Sequence, residues 1–167
     1  MPHEIIETIV DNLSGSRPLY TQLQSSVFSS RVVGPYYSSI GQHMRHILDT
    51  FSCALRGMNT TVADLTERER NSKAETDQKA GLVYLDSILD NLQALGSFDL
   101  HQAITVLDDL GKGPQSVEYS VVSLLCQTNS HMLHHFALIG YLLHFHNVDL
   151  PNTFFGYNPT TPMVEKA

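Results

Sequence analysis

The sequence predicts an all-α protein, a four-helix bundle with a small β-hairpin or irregular insertion before the last helix. Apolar residues recur at helical spacing in four segments, and clusters of glycine, proline and serine separate these segments. A chain of 167 residues, of which 42% are hydrophobic, is long enough to bury a core without disulfide bonds. We therefore expect residues 1–167 to form a single domain, in which 146–167 are an ordered C-terminal loop.

The first two helices have clear boundaries in the sequence. The first spans residues 3–13 and stops at the Ser/Gly/Pro cluster in 14–18. Its apolar stripe consists of Ile5, Ile6, Ile9, Val10 and Leu13. The second helix runs from about residue 39 to residue 56. Ser38 or Ser39 can cap its first turn, and Gly57 follows its end.

The third helix is predicted over residues 73–95, with Gly96 as its terminator. Ser72 and Glu75 have the capping-box form, with Ser72 at the N-cap. Short β-like runs then flank a glycine- and proline-containing turn, which favours a hairpin within residues 104–120. The fourth helix spans residues 121–146, with Ser120 as its cap.

Composition excludes several classes of function. The chain has 10 Lys+Arg against 17 Asp+Glu and no basic run, so nucleic acid and anionic membrane surfaces are poor partners for it. Cys53 and Cys126 are too few and too distant for a disulfide framework or a zinc finger. No apolar run is long enough to span a membrane and no leader pattern stands out, so we expect a cytoplasmic protein.

Histidine is the residue type whose placement points to chemistry. Of the 9 histidines, two lie on the second helix and five on the fourth. His131 and His135 are four residues apart, so their rings stand on the same side of the helix. That spacing lets two imidazoles bind one metal ion.

A third ligand has to come from another helix, and the residue pattern leaves it open. His43 lies nearer the apolar stripe of the second helix, which favours it. His46 shares its face with the more polar Asp49. His134 points away from the buried face of the fourth helix.

Other catalytic motifs are missing from the sequence. It contains no His-Glu-x-x-His, which argues against a zincin-type protease. It contains no Glu-x-x-His, which argues against a di-iron carboxylate bundle. It also lacks Gly-x-Ser-x-Gly and a phosphate-binding loop.

Four segments carry a resemblance to a known family. The segment SIGQHMRHILD (39–49) resembles the second-helix motif of the DinB/YfiT-like superfamily, and SHMLHHFALI (130–139) resembles its C-terminal metal-binding helix. The segments RERNSKAETD (68–77) and FGYNPTTP (155–162) are similar to one DinB-like branch. The match spans roughly residues 35–162 in the expected order.

The resemblance implies a four-helix bundle, often a homodimer, with one divalent metal ion per subunit. Nickel or zinc is the expected metal, and iron is a further candidate. The ligands that it implies are His46, His131 and His135, so it selects His46 over His43. It leaves Asp49 to support a ligand or the helix, while His43 and His134 are supporting residues or alternative ligands.

The function that this resemblance implies is a metal-dependent transferase or hydrolase, in which the metal activates a thiol or water toward a small-molecule substrate. Arg68 and Glu75 are candidates for orienting that substrate, although the capping box is an equal explanation for Glu75. The alternative is a non-catalytic dimeric bundle with a structural or vestigial metal site. We also expect the aromatic tail around Phe155 to pack near the mouth of the metal site.

Overall fold

The computed structural model describes residues 4–70 and 73–162. Four long helices lie in this part of the chain, and two one-turn helices and a 3-10 turn accompany them. In chain order, the helices are α1 (Glu4–Ser14), α2 (Pro18–Thr21), α3 (Ser25–Phe28), α4 (Ile40–Thr60), α5 (Gln78–Gln93) and α6 (Val121–Phe145). The 3-10 turn is Ala94–Ser97, and the strands are β1 (Val62–Asp64), β2 (Ala103–Asp109) and β3 (Pro114–Ser120).

The three strands form one mixed sheet in the order β1-β2-β3, so the predicted all-α four-helix bundle is wrong. β2 and β3 pair antiparallel, with Ala103 opposite Ser120. β1 pairs parallel to β2, with Val62 opposite Thr105. A three-residue strand whose partner lies beyond α5 leaves no local signal, because parallel pairing depends on a distant segment. The sheet buries Ile104 and Val106 of β2 against the helical core.

Helix α4 lies at the centre of the fold and contacts α5, α6 and β1. Ser39 caps it in a capping box with Gln42, so one of the two predicted caps is confirmed. The helix runs past the predicted end and stops at Thr61, whose φ of 62° is left-handed. Gly57 is therefore inside the helix, where it is buried against β1.

Helix α5 begins later than predicted. Asp77 is its N-cap and accepts hydrogen bonds from the backbone N–H groups of Lys79 and Ala80. The predicted cap Ser72 lies outside the described residues. The preceding segment instead lies against the first turn of α4, where a Cβ on Gly41 would come within 2.1 Å of the Glu75 carbonyl oxygen.

Helix α6 begins at the predicted cap, because Ser120 accepts a hydrogen bond from the Ser123 backbone N–H. Its buried face contributes Leu124, Leu125, Met132, Phe136 and Ile139 to the core. The Phe155 ring of the tail stacks on Phe136, with centroids 4.4 Å apart. Within residues 4–70 and 73–162, no helix combines the length and apolar character that a membrane span requires.

Candidate metal centre

Helices α4 and α6 bring three histidine rings together. His46 comes from the second turn of α4, and His131 and His135 lie on successive turns of α6. The ring centroids are 4.9 Å apart for His46 and His131, 4.7 Å for His46 and His135, and 4.6 Å for His131 and His135. One nitrogen from each ring lies within 4.8 Å of the other two, so the group could hold a metal ion.

The ring contacts show which nitrogens face one another. The Nε2 atoms of His46 and His131 are 2.8 Å apart. His135 directs its Nδ1 at Nδ1 of His43, also at 2.8 Å. Its Nε2 atom is therefore the nitrogen that remains for a metal, and His43 is the side chain that fixes this orientation.

These distances place His46, and not His43, in the group of three histidines. The three-histidine group contains His46, whereas His43 contacts only the far side of His135 in it. His134 is exposed, and its ring centroid lies 5.3 Å from that of His135. His134 is thus beside the group without belonging to it.

Burial keeps these imidazoles neutral at physiological pH. Desolvation, with the neighbouring His131, lowers the pKa of His46 to about 4. Desolvation and the same neighbour lower the pKa of His135 to about 3. The pKa values of His43 and His131 are lowered as well, again mainly by burial. Neutral imidazole is the form that binds metal, so the lone pairs are available.

The donor set fits a borderline divalent metal. Imidazole nitrogen suits nickel, zinc and iron, whereas calcium and magnesium require oxygen ligands. Zinc binds imidazole at about 2.0–2.1 Å, so two nitrogens on one ion lie at most about 4.2 Å apart. The His46–His131 separation of 2.8 Å lies inside that limit, and all three nitrogens lie within 4.8 Å of one another.

A pocket of about 640 Å³ opens beside two of the three rings. Residues from α4, the segment after β1, β2 and α6 line it, among them His46, Thr50, Arg68, Asp108, Thr128 and His131. The volume is in the range of small-molecule sites. Thr50, Asp108 and Thr128 were not expected here. Asp108 reaches the pocket through the pairing of β2, which periodicity along the chain does not reveal.

Arg68 is placed at the pocket by the turn that follows β1. The Asp64 carboxylate accepts hydrogen bonds from the backbone N–H groups of Thr66 and Glu67, which turns the chain toward α4. The Arg68 Nη1 atom then lies 2.9 Å from Nδ1 of His46. Arg68, predicted to orient a substrate, is thus next to the candidate ligands.

Asp49 and Glu75 belong to a different cluster. Asp49 is fully buried, and its carboxylate accepts hydrogen bonds from Arg45 at 2.6 Å and from the Tyr84 hydroxyl at 3.1 Å. Glu75 accepts a hydrogen bond from Nε of the same Arg45 at 2.9 Å. These pairs tie α4 to α5 and to the segment before it, and neither carboxylate is among the residues that line the pocket.

The tail does not lie where it was expected. Phe155 is buried against Phe136, on a part of α6 away from the pocket, whereas Phe154 is 69% exposed. No described tail residue lines the pocket beside the histidines.

Comparison with known proteins assigns no family to this arrangement. No family model matches the sequence, and no curated protein matches it.

Proposed function

We propose that this protein is a metal-dependent transferase or hydrolase of the DinB/YfiT-like superfamily. His46, His131 and His135 would hold one divalent ion, nickel or zinc in the first place and iron as a further candidate. The observation that carries the proposal is the meeting of three neutral imidazoles, two of which line a pocket of 640 Å³. Subunits would associate as homodimers, as the resemblance implies.

Three neutral ligands leave the charge of a divalent ion uncompensated. A bound ion would supply Lewis acidity that lowers the pKa of a coordinated water or thiol toward neutrality. The chain itself would contribute orientation, because His43 hydrogen-bonds the far nitrogen of the His135 ring. The pocket would hold the small-molecule substrate next to the reacting group.

A second candidate is a structural or vestigial metal in a non-catalytic protein. The position of His134 favours it, because its ring lies 5.3 Å from that of His135 and could complete a closed shell of four nitrogens. A closed shell leaves no position for water or a thiol. In that case, chelation would lower the melting temperature sharply, since metal binding contributes directly to folding.

Metal titration of untagged protein tests the first step. We expect zinc and nickel to bind at about one ion per chain, and His135→Ala to lose at least about tenfold in affinity. His144→Ala is the matched control, because His144 is an exposed histidine on the same helix. An equal affinity for zinc in wild type and His135→Ala would remove the site assignment.

Cobalt substitution separates the two candidates. Cobalt-loaded protein is titrated with 2-mercaptoethanol, and the absorption spectrum is followed. A new sulfur-to-cobalt charge-transfer band would show an open coordination position, as an activating site requires. The closed structural shell would instead be established if the spectrum of cobalt-loaded wild type stays unchanged and the charge-transfer band appears in His134→Ala.

A further inference from the structure

The Arg68 guanidinium is the least compensated charge around the candidate centre. Arg17, Arg45 and Arg56 each form an ion pair with a carboxylate. Among residues 4–70 and 73–162, Arg68 forms no such pair, and the hydrogen bond that it makes there is the one to His46. Its Nε atom is buried and has no partner among the described residues. A half-buried guanidinium without an anionic partner costs free energy unless an anion binds to it.

The position of the proton on His46 limits its hydrogen bond with Arg68. A guanidinium only donates, so a ring that accepts from Arg68 at Nδ1 carries its proton on Nε2. A neutral ring that binds metal through Nε2 must carry the proton on Nδ1 instead. The two arrangements exclude each other in one ring. Metal ligation by His46 would therefore release Nη1 of Arg68 and leave the guanidinium with still fewer partners at the pocket.

The charges along the pocket select the kind of anion. Asp108 is the one carboxylate among the described lining residues, and Arg68 is the one guanidinium. A phosphate usually needs several cations or a row of backbone N–H groups. Beside a divalent ion, the charges of Arg68 and Asp108 in this lining offset each other, which suits a singly charged, planar carboxylate whose two oxygens match the guanidinium fork.

We infer that the pocket takes a small ligand with a carboxylate group, and that Arg68 binds the carboxylate while the rest of the ligand lies beside His46 and His131. This inference rests on the proposed function of the three histidines. Because binding free energies are reciprocal, a metal that frees Arg68 strengthens carboxylate binding, and the carboxylate strengthens metal binding by the same factor.

The test uses untagged, zinc-loaded full-length protein and sodium benzoate as the probe, with benzamide as the uncharged counterpart of similar shape. Calorimetry compares wild type with Arg68→Met, Arg68→Lys and Asp108→Asn. We expect benzoate to bind wild type at least about tenfold more tightly than benzamide does, and Arg68→Met to lose at least about tenfold in benzoate affinity. Arg68→Lys should keep part of the affinity, and Asp108→Asn should bind benzoate about two- to threefold more tightly.

The outcomes distinguish this inference from the proposed function. Benzoate affinity that is equal in zinc-loaded wild type and Arg68→Met overturns the inference, because the metal alone then binds the carboxylate. If wild type binds no zinc, the proposed function fails, and the same comparison on metal-free protein decides the role of Arg68. If Arg68→Met does not fold, unchanged benzoate affinity in both Arg68→Lys and Asp108→Asn overturns the inference.

Discussion

His43 illustrates how one side chain can control its neighbour in the candidate centre. Its Nδ1 atom lies 2.8 Å from Nδ1 of His135, so a proton shared there leaves the Nε2 lone pair of His135 for a metal. His43 is half-buried on α4 and contacts α6 through His135. It is a positioning residue for His135 and lies outside the three-histidine group.

Replacement of His43 should weaken metal binding while the three ligands stay in place. We expect His43→Leu to raise the zinc dissociation constant by about 10- to 100-fold, because the His135 ring loses its hydrogen bond. His43→Gln should recover part of the affinity, since the amide can accept the same proton. Calorimetric titration with zinc measures both variants. Wild-type affinity in His43→Leu would show that packing alone orients His135.

The histidines of α4 and α6 show what residue patterns can and cannot predict. The i, i+4 spacing predicts that His131 and His135 share a face, and the structure agrees because the helix is regular there. Hydrophobic periodicity favoured His43 over His46, on the assumption that the more apolar face meets α6. Both faces meet α6 in fact, since His46 contacts His131 and His43 contacts His135. The spacing of residues along one helix does not indicate how that helix is rotated about its own axis relative to its neighbour.

At the scale of elements, the start of α5 depends on tertiary contacts. Two sequences near its N-terminus can cap a helix, one at Ser72 and one at Asp77. The later cap is used, because the intervening segment packs on α4 and Arg45 engages the Glu75 carboxylate. Local propensity cannot choose between two adequate caps when a neighbouring helix occupies the space that the longer helix would need.

The contact between α4 and β1 requires a glycine at position 57. A Cβ on Gly57 would lie 2.4 Å from Cβ and 2.5 Å from Cα of Ala63, and the β1 backbone cannot move without losing its pairing with β2. We expect Gly57→Ala to lower the free energy of unfolding by about 1–3 kcal/mol, despite the better helix propensity of alanine. Urea unfolding measures the change.

Gly96→Ala is the matched control for this prediction. Nothing lies within 4 Å of a Cβ at position 96, so we expect no loss of stability and a gain of up to about 1 kcal/mol. Equal stabilities of the two alanine variants would contradict the close packing of α4 on β1.

The tail and α6 form a second contact between elements that is open to test. Phe155 is 5% exposed and stacks on Phe136, whereas the adjacent Phe154 is 69% exposed. We expect Phe155→Ala to lower the free energy of unfolding by about 3–5 kcal/mol through the cavity it leaves. Phe154→Ala should change it by less than about 0.5 kcal/mol. Thermal unfolding of both variants distinguishes a tail that holds the fold together from one that only lies on it.

At the scale of the whole molecule, the buried histidines make stability depend on pH. In the unfolded chain their pKa is about 6.5, whereas in the folded protein it is about 4 for His46 and about 3 for His135. Between these values the unfolded state binds more protons, so the stability of metal-free protein is complete above pH 6.5 and falls as the pH drops toward 4.

Urea unfolding in the presence of a chelator, at pH 7.5, 6.0 and 5.0, measures this dependence. Burial lowers the pKa of His46 most, and the neighbouring residues His131, Arg68, Arg45 and His43 lower it further. The double variant His46→Gln/His135→Gln removes two of the titrating groups and should show a smaller loss of stability over the same interval. An identical loss in wild type and in the double variant would assign the pH dependence to other groups.

Sequence patterns account for the long helices of the molecule and for most of the candidate centre, but not for the sheet. Caps at Ser39 and Ser120 and the stripes that follow them are local, so α4 and α6 can be predicted. The pairing of β1 with β2 joins segments on either side of α5, and this pairing is what brings Arg68 and Asp108 to the pocket. Residues that line a site can be predicted from the sequence only when the helix or strand that carries them can also be predicted.

The register of the parallel pairing of β1 with β2 also sets the relative position of the two helices that carry the histidines. β1 follows directly from the end of α4, and β3, paired with β2, runs directly into α6. A shift of one residue along a strand is about 3.3 Å. That step is longer than the 2.8 Å between the Nε2 atoms of His46 and His131. A shift of one residue in the register of the three-residue strand β1 would therefore be enough to separate His46 on α4 from His131 and His135 on α6.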